Sequence, residues 1–239
     1  MKLGLVRVDV RLAGPIQLDY PLHLDGLLTE AAFRRLPNGR DVSRSMVAPE
    51  PLPIPCARIR VGAEWVWCAS ALELRTPQRV AVSLTKRKDS EDIDRLTQAW
   101  TPNSGPGRNQ LAHHEAWVSD SGSWLAWGNA REIRKALHLL WPGGQGHLGD
   151  RRRHGLGQVT SLTVEAIDGT ARDAIMDGSR TRRHIPVAWC DSVRGADIYH
   201  AASLPPYWHP ERQRPVTTVG ATVTLTPDVE TAIDAPESW

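Results

Sequence analysis

The sequence predicts an α+β domain whose antiparallel sheet carries two helices on one face. Several short segments alternate apolar and polar side chains, which is typical of strands with one buried face. Two further segments repeat apolar residues at helical spacing. Along the chain these segments follow the order strand, helix, strand, strand, insertion, strand, helix, glycine-rich loop, strand.

The first strand and the first helix lie near the start of the sequence. Residues 3–13 alternate Leu and Val with Arg and Asp, and Gly14 and Pro15 end this strand. Residues 22–36 place leucines and alanines at helical spacing, with Asp25 near the start of that helix.

The middle of the chain combines strands with an insertion. Residues 38–55 are rich in Pro, Ser and Arg and are predicted to form a loop. Strand-like segments follow at 57–61, 64–74 and 79–85. Residues 86–112 are first charged and then rich in Gly, Pro and Asn, so we expect an insertion that protrudes from the core.

The second helix has the strongest pattern in the sequence. Residues 129–140 place apolar side chains on one face, Asn129 is a plausible N-cap, and Glu132 follows three residues later. The strands predicted around this helix lie at 115–119, 123–127 and 158–167.

The order of these elements corresponds to a βαββαβ unit of the ferredoxin-like type. We therefore expect a core over residues 1–168 and a C-terminal extension over 169–239 that packs on it. The extension is Pro-rich, and we expect it to be irregular apart from one strand candidate at 216–225.

The composition is that of a globular protein rich in arginine. The chain has 239 residues and a formal net charge of +2, and only four of its 29 basic residues are lysine. Arginine has a planar donor group suited to phosphates and base edges, although a GC-rich genome would also favour it. Three cysteines without a CxxC pair argue against a disulfide scaffold and against a zinc finger. No signal peptide or apolar stretch of membrane-spanning length is present, so we expect a cytoplasmic protein without a membrane partner.

The segment from Gly143 to Val159 carries the sharpest chemical signal. Several glycines surround three consecutive arginines and a histidine. Such glycines let the backbone approach a ligand closely, and arginines bind phosphates through charge-assisted hydrogen bonds. We therefore predict binding of RNA or another single-stranded nucleic acid. The predicted contacts are Gly146, His147, Gly149, Arg151, Arg152, Arg153, His154 and Gly155.

Three other interpretations of this segment are weaker. A Walker A loop requires a lysine that is absent here. A dinucleotide-binding loop follows a strand and opens a helix, whereas this loop follows a helix and enters a strand. A solvated basic loop is the ordinary explanation of three arginines alone, but the surrounding glycines argue against it.

The same segment resembles the signature of the CRISPR RAMP superfamily. The helix and loop GNAREIRKAL and HLGDRRRHGLGQV are similar to its helix followed by a G-x-R-R-x-x-G-x-G-x-V loop. The segments YPLHLDGLLTEAAF, WVWCASALEL and PPYWHPE resemble motifs of type IV CRISPR proteins. The closest likeness is the type IV subunit equivalent to the Cas-five subunit of Class 1 complexes.

This resemblance implies a fold and a function. The fold would be an RNA-recognition-like ferredoxin core with a thumb hairpin at about residues 80–116. The subunit would bind the 5′ handle of a CRISPR RNA and contact the repeating backbone subunit, with the large subunit and target DNA as further partners. No cofactor, metal or catalytic residue is expected.

The resemblance also implies further RNA contacts outside the glycine-arginine segment. His23 and Asp25 would lie beside the RNA, although a surface histidine and an N-cap would explain them equally well. The basic residues at the base of the thumb would add Lys86, Arg87 and Lys88. A second basic cluster, just before Pro186, contains Arg182 and Arg183; it would either contact the phosphates of the handle or form a solvated loop. The alternative function is a metal-independent endoribonuclease that cuts the CRISPR repeat, with His23, His147 and His154 as candidate acids and bases.

Overall fold

The computed structural model describes residues 3–36, 51–86, 110–194, 197–207 and 209–238. Its helices are α1 (Leu24–Arg34), α2 (Ala130–Leu140) and α3 (Pro227–Asp234). Its strands are β1 (Gly4–Leu12), β2 (Arg58–Val61), β3 (Glu64–Trp67), β4 (Glu73–Leu74), β5 (Gln78–Lys86), β6 (Gln110–Val118), β7 (Ser121–Gly128), β8 (Gly146–His147), β9 (Gln158–Ile167), β10 (Met176–Asp177), β11 (Arg180–Thr181), β12 (Cys190–Arg194), β13 (Ile198–Ala202), β14 (Gln213–Thr217) and β15 (Thr222–Leu225).

A five-stranded antiparallel sheet forms the centre of the molecule, in the order β4-β7-β1-β9-β8. Strand β1 lies in the middle, with Val8 between Trp124 of β7 and Val164 of β9. Its alternating sequence explains this position, because its valines are buried on one face and its charged residues lie on the other. Each buried valine stabilises the fold by about 1.5–3 kcal/mol relative to an exposed one.

The two long helices pack on the valine face of this sheet. Leu24 and Leu28 of α1 lie in the same apolar core as Ile133 and Leu137 of α2. The predicted N-cap of α2 is confirmed, because the Asn129 side chain accepts a hydrogen bond from the backbone N–H of Glu132 at 3.0 Å.

A second apolar core covers one end of the opposite sheet face. Leu5, Leu125 and Ile167 pack there with the hairpin β2–β3 and with the sheet β10-β11-β15-β12. The C-terminal segment is therefore more regular than predicted, because it contributes short strands and the helix α3. Strands of two to five residues carry too little alternation to be recognised from sequence. The predicted strand at 216–225 is two strands separated by a turn at Gly220.

The predicted strand at 64–74 is also two elements. Its first part is β3, which pairs only with β2 in a separate hairpin across a turn at Gly62. Its last part is β4, which forms the edge of the central sheet beside β7. The intervening residues 68–72 form isolated backbone bridges instead of a continuous strand.

Strands β5 and β6 form a two-stranded ribbon that pairs with no other described strand. Ile16 and Trp117 exchange two backbone hydrogen bonds of 2.8 Å and attach the base of this ribbon to the segment after β1. The ribbon contains both ends of the predicted insertion, and residues 87–109 lie outside the described residues.

Within the described ranges, none of the helices has both the length and the apolar character needed to span a bilayer.

Candidate nucleic-acid interface

The glycine-arginine loop connects β8 to β9 at one end of the central sheet. Its two ends are joined by a hydrogen bond from the N–H of Leu148 to the carbonyl of Gly157, at 2.8 Å. Two more backbone bonds anchor it to the segment after β1, from Asp150 to Gln17 at 2.9 Å and from Gly157 to Pro15 at 2.7 Å. The base of the loop is thus held by the core.

The tip of the loop presents its arginines to solvent. Residues 151–155 are all exposed, and a single 3-10 turn at 152–154 is bracketed by left-handed residues, Arg151 (φ 56°) and Gly155 (φ 80°). Among the described residues, no carboxylate forms an ion pair with Arg151, Arg152 or Arg153. Three uncompensated guanidinium groups on one exposed turn have the charge and the donors that anion binding requires.

Three of the six glycines of this segment are explained by the fold. A Cβ on Gly146 would overlap the ring of Trp141, and one on Gly157 would overlap the backbone of Leu148. A Cβ on Gly149 would overlap a backbone carbonyl of the segment after β1. Gly143 and Gly155 each combine a positive φ with open space around the position of a Cβ. At three positions, therefore, the packing of the loop explains the glycine, and close approach to RNA is not needed as a reason.

An open polar depression of about 590 Å³ lies on the charged face of the central sheet, beyond the part that the second core covers. Across three strands, Arg11 lies between Ser121 of β7 and Ser161 of β9. Arg7 is neutralised by Asp9 at 2.9 Å, whereas Arg11 forms no ion pair with a described carboxylate. The lining consists of Arg7, Asp9, Val10, Arg11, Arg75, Asp120, Ser121, Ser161 and Thr163.

This depression and the arginine loop lie at the same end of the sheet. Arg11 pairs with Ser161, Leu12 pairs with Val159, and the N–H of Ala13 donates to the carbonyl of Gln158 at the start of β9, where the loop ends. Sequence reasoning placed Arg11 on the exposed side of β1 but did not include it in the interface. The two-residue period of β1 could have identified Arg11, because it places the arginines of this strand on the face opposite its valines.

His23, Asp25 and Arg183 do not belong to this surface, contrary to prediction. They are 2%, 0% and 0% exposed, respectively. The first turn of α1 and the residues after β11 meet inside the protein, so the charged groups of both contact each other instead of solvent. The structure therefore assigns these three side chains to the interior.

These side chains form a buried polar cluster with residues of the C-terminal segment. The Tyr207 hydroxyl donates to the Asp25 carboxylate, with oxygen distances of 2.7 and 2.8 Å, and Arg183 lies 3.5 Å from the same carboxylate. Arg183 also donates to the backbone carbonyls of Trp67, Ala69 and Ser203. Tyr207 thus attaches the C-terminal segment to the first turn of α1.

Histidines extend the cluster. The ring of His23 stacks on Tyr207 at a centroid distance of 4.8 Å and meets His184 edge-on at 4.7 Å. His184 also forms a hydrogen bond with the Tyr199 hydroxyl. Burial, assisted by the charge of Arg183, lowers the pKa of His184 to about 4 and that of His23 well below its ordinary value.

The carboxyl group of this cluster has a raised pKa although it lies beside a cation. Burial raises the pKa of Asp25, while the charge of Arg183 and the hydrogen bond from Tyr207 oppose that rise. Within the described part of the chain, no group of three or more His, Cys, Asp and Glu side chains is arranged to hold a metal ion.

The remaining predicted contacts are divided. Arg182 is half-buried and paired with Glu73 at 2.7 Å and Asp177 at 3.3 Å, so its charge is compensated within the protein. Lys86 is the last residue of β5, and Arg87 and Lys88 lie outside the described residues. The exposed members of the predicted set are His147 on β8 and the tip of the loop.

Comparison with known proteins finds one family model that matches the N-terminal part of the chain. No curated protein matches it. Residues 5–101 match the family model described as CRISPR type IV associated protein Csf3. The matched region contains β1, α1 and the strands up to β5, and it includes the LDGLL and WVWCASALEL segments. The resemblance to type IV CRISPR proteins is therefore confirmed for this part of the chain, which is similar to the CRISPR type IV associated protein Csf3.

Proposed function

We propose that this protein binds the 5′ handle of a CRISPR RNA as an end subunit of a type IV effector complex. The observation that carries the proposal is the exposed arginine triplet, Arg151 to Arg153, on a loop anchored to the core. Phosphate contacts of this kind supply most of the affinity of a protein for single-stranded nucleic acid. Specificity for the handle would come from bases splayed onto the neighbouring surface.

We also propose that the central sheet and its two helices form a ferredoxin-like core of the RAMP type. The strands β1, β4, β7 and β9 alternate with the helices in the order βαββαβ, and they lie in the sheet order β4-β7-β1-β9. In that arrangement the loop between the second helix and the last strand projects from the end of the sheet. This is the position of the arginine triplet.

The experiment measures RNA binding by the full chain. A synthetic RNA with the handle sequence is titrated at several salt concentrations against wild type and a triple variant, Arg151→Ala, Arg152→Ala and Arg153→Ala. Three lost phosphate contacts should flatten the logarithmic salt dependence by about 2, since each contact on a single strand contributes about 0.7. The matched control removes three exposed arginines from other elements, Arg131, Arg180 and Arg194.

The affinities and salt slopes of these variants decide whether the arginine loop contacts the RNA. We expect weaker binding and a flatter slope for the loop variant, with the control variant close to wild type. A folded loop variant with an unchanged slope would remove the loop from the interface. Equal affinity for the handle and for a scrambled RNA of the same length would exclude handle recognition.

The ribbon β5–β6 is proposed as the thumb that contacts the first backbone subunit. It leaves the central sheet at the same end as the arginine loop, where Ile16 pairs with Trp117 and Gly157 bonds to Pro15. Replacing residues 87–109 by a short Gly/Ser linker should leave a cooperatively unfolding protein that no longer co-purifies with the backbone subunit. Retained assembly would assign the contact to another surface.

A further inference from the structure

One aromatic side chain stands apart from the rest. Tyr20 is 76% exposed, whereas every other Trp, Tyr or Phe in the described ranges is buried or half-buried. A single exposed apolar residue is common on protein surfaces, so its position decides whether it has a role.

Tyr20 lies directly beside the arginine loop. The N–H of Asp19 donates to the carboxylate of Asp150 at 3.3 Å, and the N–H of Asp150 donates to the carbonyl of Gln17 at 2.9 Å. Tyr20 follows Asp19, and Arg151 follows Asp150. The ring and the first arginine are therefore each one residue from the same hydrogen bond, and consecutive Cα atoms are only about 3.8 Å apart.

The segment that carries the ring is fixed. The Gln17 side chain donates to the Asp19 carboxylate at 2.9 Å, and the backbone of Gly149 packs closely against the carbonyl of Gln17. An aromatic ring held in solvent on an ordered segment loses little freedom when it binds a flat ligand.

We infer that Tyr20 stacks on a base of the RNA strand whose phosphates contact Arg151, Arg152 and Arg153. The inference rests on the proposed function and adds to it a residue that contacts a base instead of a phosphate. Single-stranded nucleic acid is bound by this combination, in which cations follow the backbone and aromatic rings stack on the bases. Stacking is neutral, so it adds affinity without adding to the salt dependence.

The test compares three substitutions of one residue in the full chain. Tyr20→Ala should weaken binding of the handle RNA by about 5- to 150-fold at constant salt slope, the range expected for one stacked base. Tyr20→Phe keeps the ring and should bind within about twofold of wild type. Tyr20→Leu keeps apolar area without a ring and should be as weak as Tyr20→Ala. Leu139→Ala, at another exposed apolar residue, is the matched control and should bind normally.

Several results would overturn the inference. Normal binding by Tyr20→Ala, together with weak binding by the triple arginine variant, would reject stacking and leave the proposed function standing. Normal binding by both would reject the proposed function as well. A changed salt slope in Tyr20→Ala would mean that the substitution acts by disturbing the arginines. Unchanged RNA affinity with lost assembly into the complex would assign Tyr20 to a protein interface.

Discussion

The buried histidines predict that the protein loses stability between pH 7 and pH 5. His184 has an ordinary pKa of 6.5 and a pKa of about 4 in the folded protein, because burial and the charge of Arg183 disfavour its protonation. The unfolded chain therefore binds a proton in this range that the folded chain does not bind. The free energy of unfolding falls as the pH drops below 6.5 and stops falling near pH 4.

The magnitude follows from these two values. Proton linkage with pKa values of 6.5 and about 4 gives a loss of about 2 kcal/mol between pH 7 and pH 5 from His184 alone. His23 contributes in the same direction, because burial lowers its pKa well below the ordinary value. A loss of this size is a large part of the total stability of about 5–15 kcal/mol that is usual for a folded domain.

Urea unfolding at pH 7 and pH 5 measures this loss. We expect His184→Gln to be less stable than wild type at pH 7, because it loses the contact with Tyr199, but to show a pH-dependent loss smaller by about 2 kcal/mol. His200→Gln, at an exposed histidine of β13, should keep the wild-type dependence. An identical pH dependence in wild type and His184→Gln would refute the reasoning.

Three further predictions concern the core, the loop and the absence of catalysis. Arg183→Met should destabilise the protein by about 3–5 kcal/mol in urea unfolding, because it leaves Asp25 buried beside no cation; a small loss would show that the Tyr207 hydrogen bonds suffice. Gly157→Ala should lower the melting temperature more than Gly155→Ala, because only the former adds an overlap with the Leu148 backbone to the strain of a positive φ; equal effects would contradict this. Incubation of repeat RNA with the protein in EDTA should leave the RNA intact, and site-specific cleavage would instead favour the endoribonuclease.

Periodicity was sufficient to predict the three inner strands of the central sheet, β1, β7 and β9, and the two helices packed on it. The alternation in residues 3–13 and the amphipathic pattern of 129–140 each corresponded to one element, because each buries a continuous face against a single core. The segment 64–74 broke this rule. Its first residues pair with β2 in a separate hairpin, and its last residues form the edge strand β4 of the central sheet. The local alternation of side chains does not show where one element ends and the other begins.

The candidate interface was predicted only in part for a related reason. The triplet at 151–153 is local in sequence, and its exposure follows from a short loop between two paired strands. The burial of Asp25 depends on partners more than 150 residues away, which a single sequence does not connect. Tyr20 was missed because one tyrosine in a loop has no pattern, and only the hydrogen bonds to Asp150 place it beside the arginines.

The buried cluster also orders events during synthesis of the chain. Asp25 leaves the ribosome 158 residues before Arg183 and 182 residues before Tyr207. At about 5–20 residues per second, roughly 10–30 s pass between the synthesis of Asp25 and the synthesis of Arg183. Until then the Asp25 carboxylate has only water as a partner, so the first turn of α1 cannot be buried as it is in the folded protein. We therefore expect a nascent chain that stops after residue 101 to remain partly unfolded and sensitive to proteases. Folding can be completed only after Tyr207 has been synthesised.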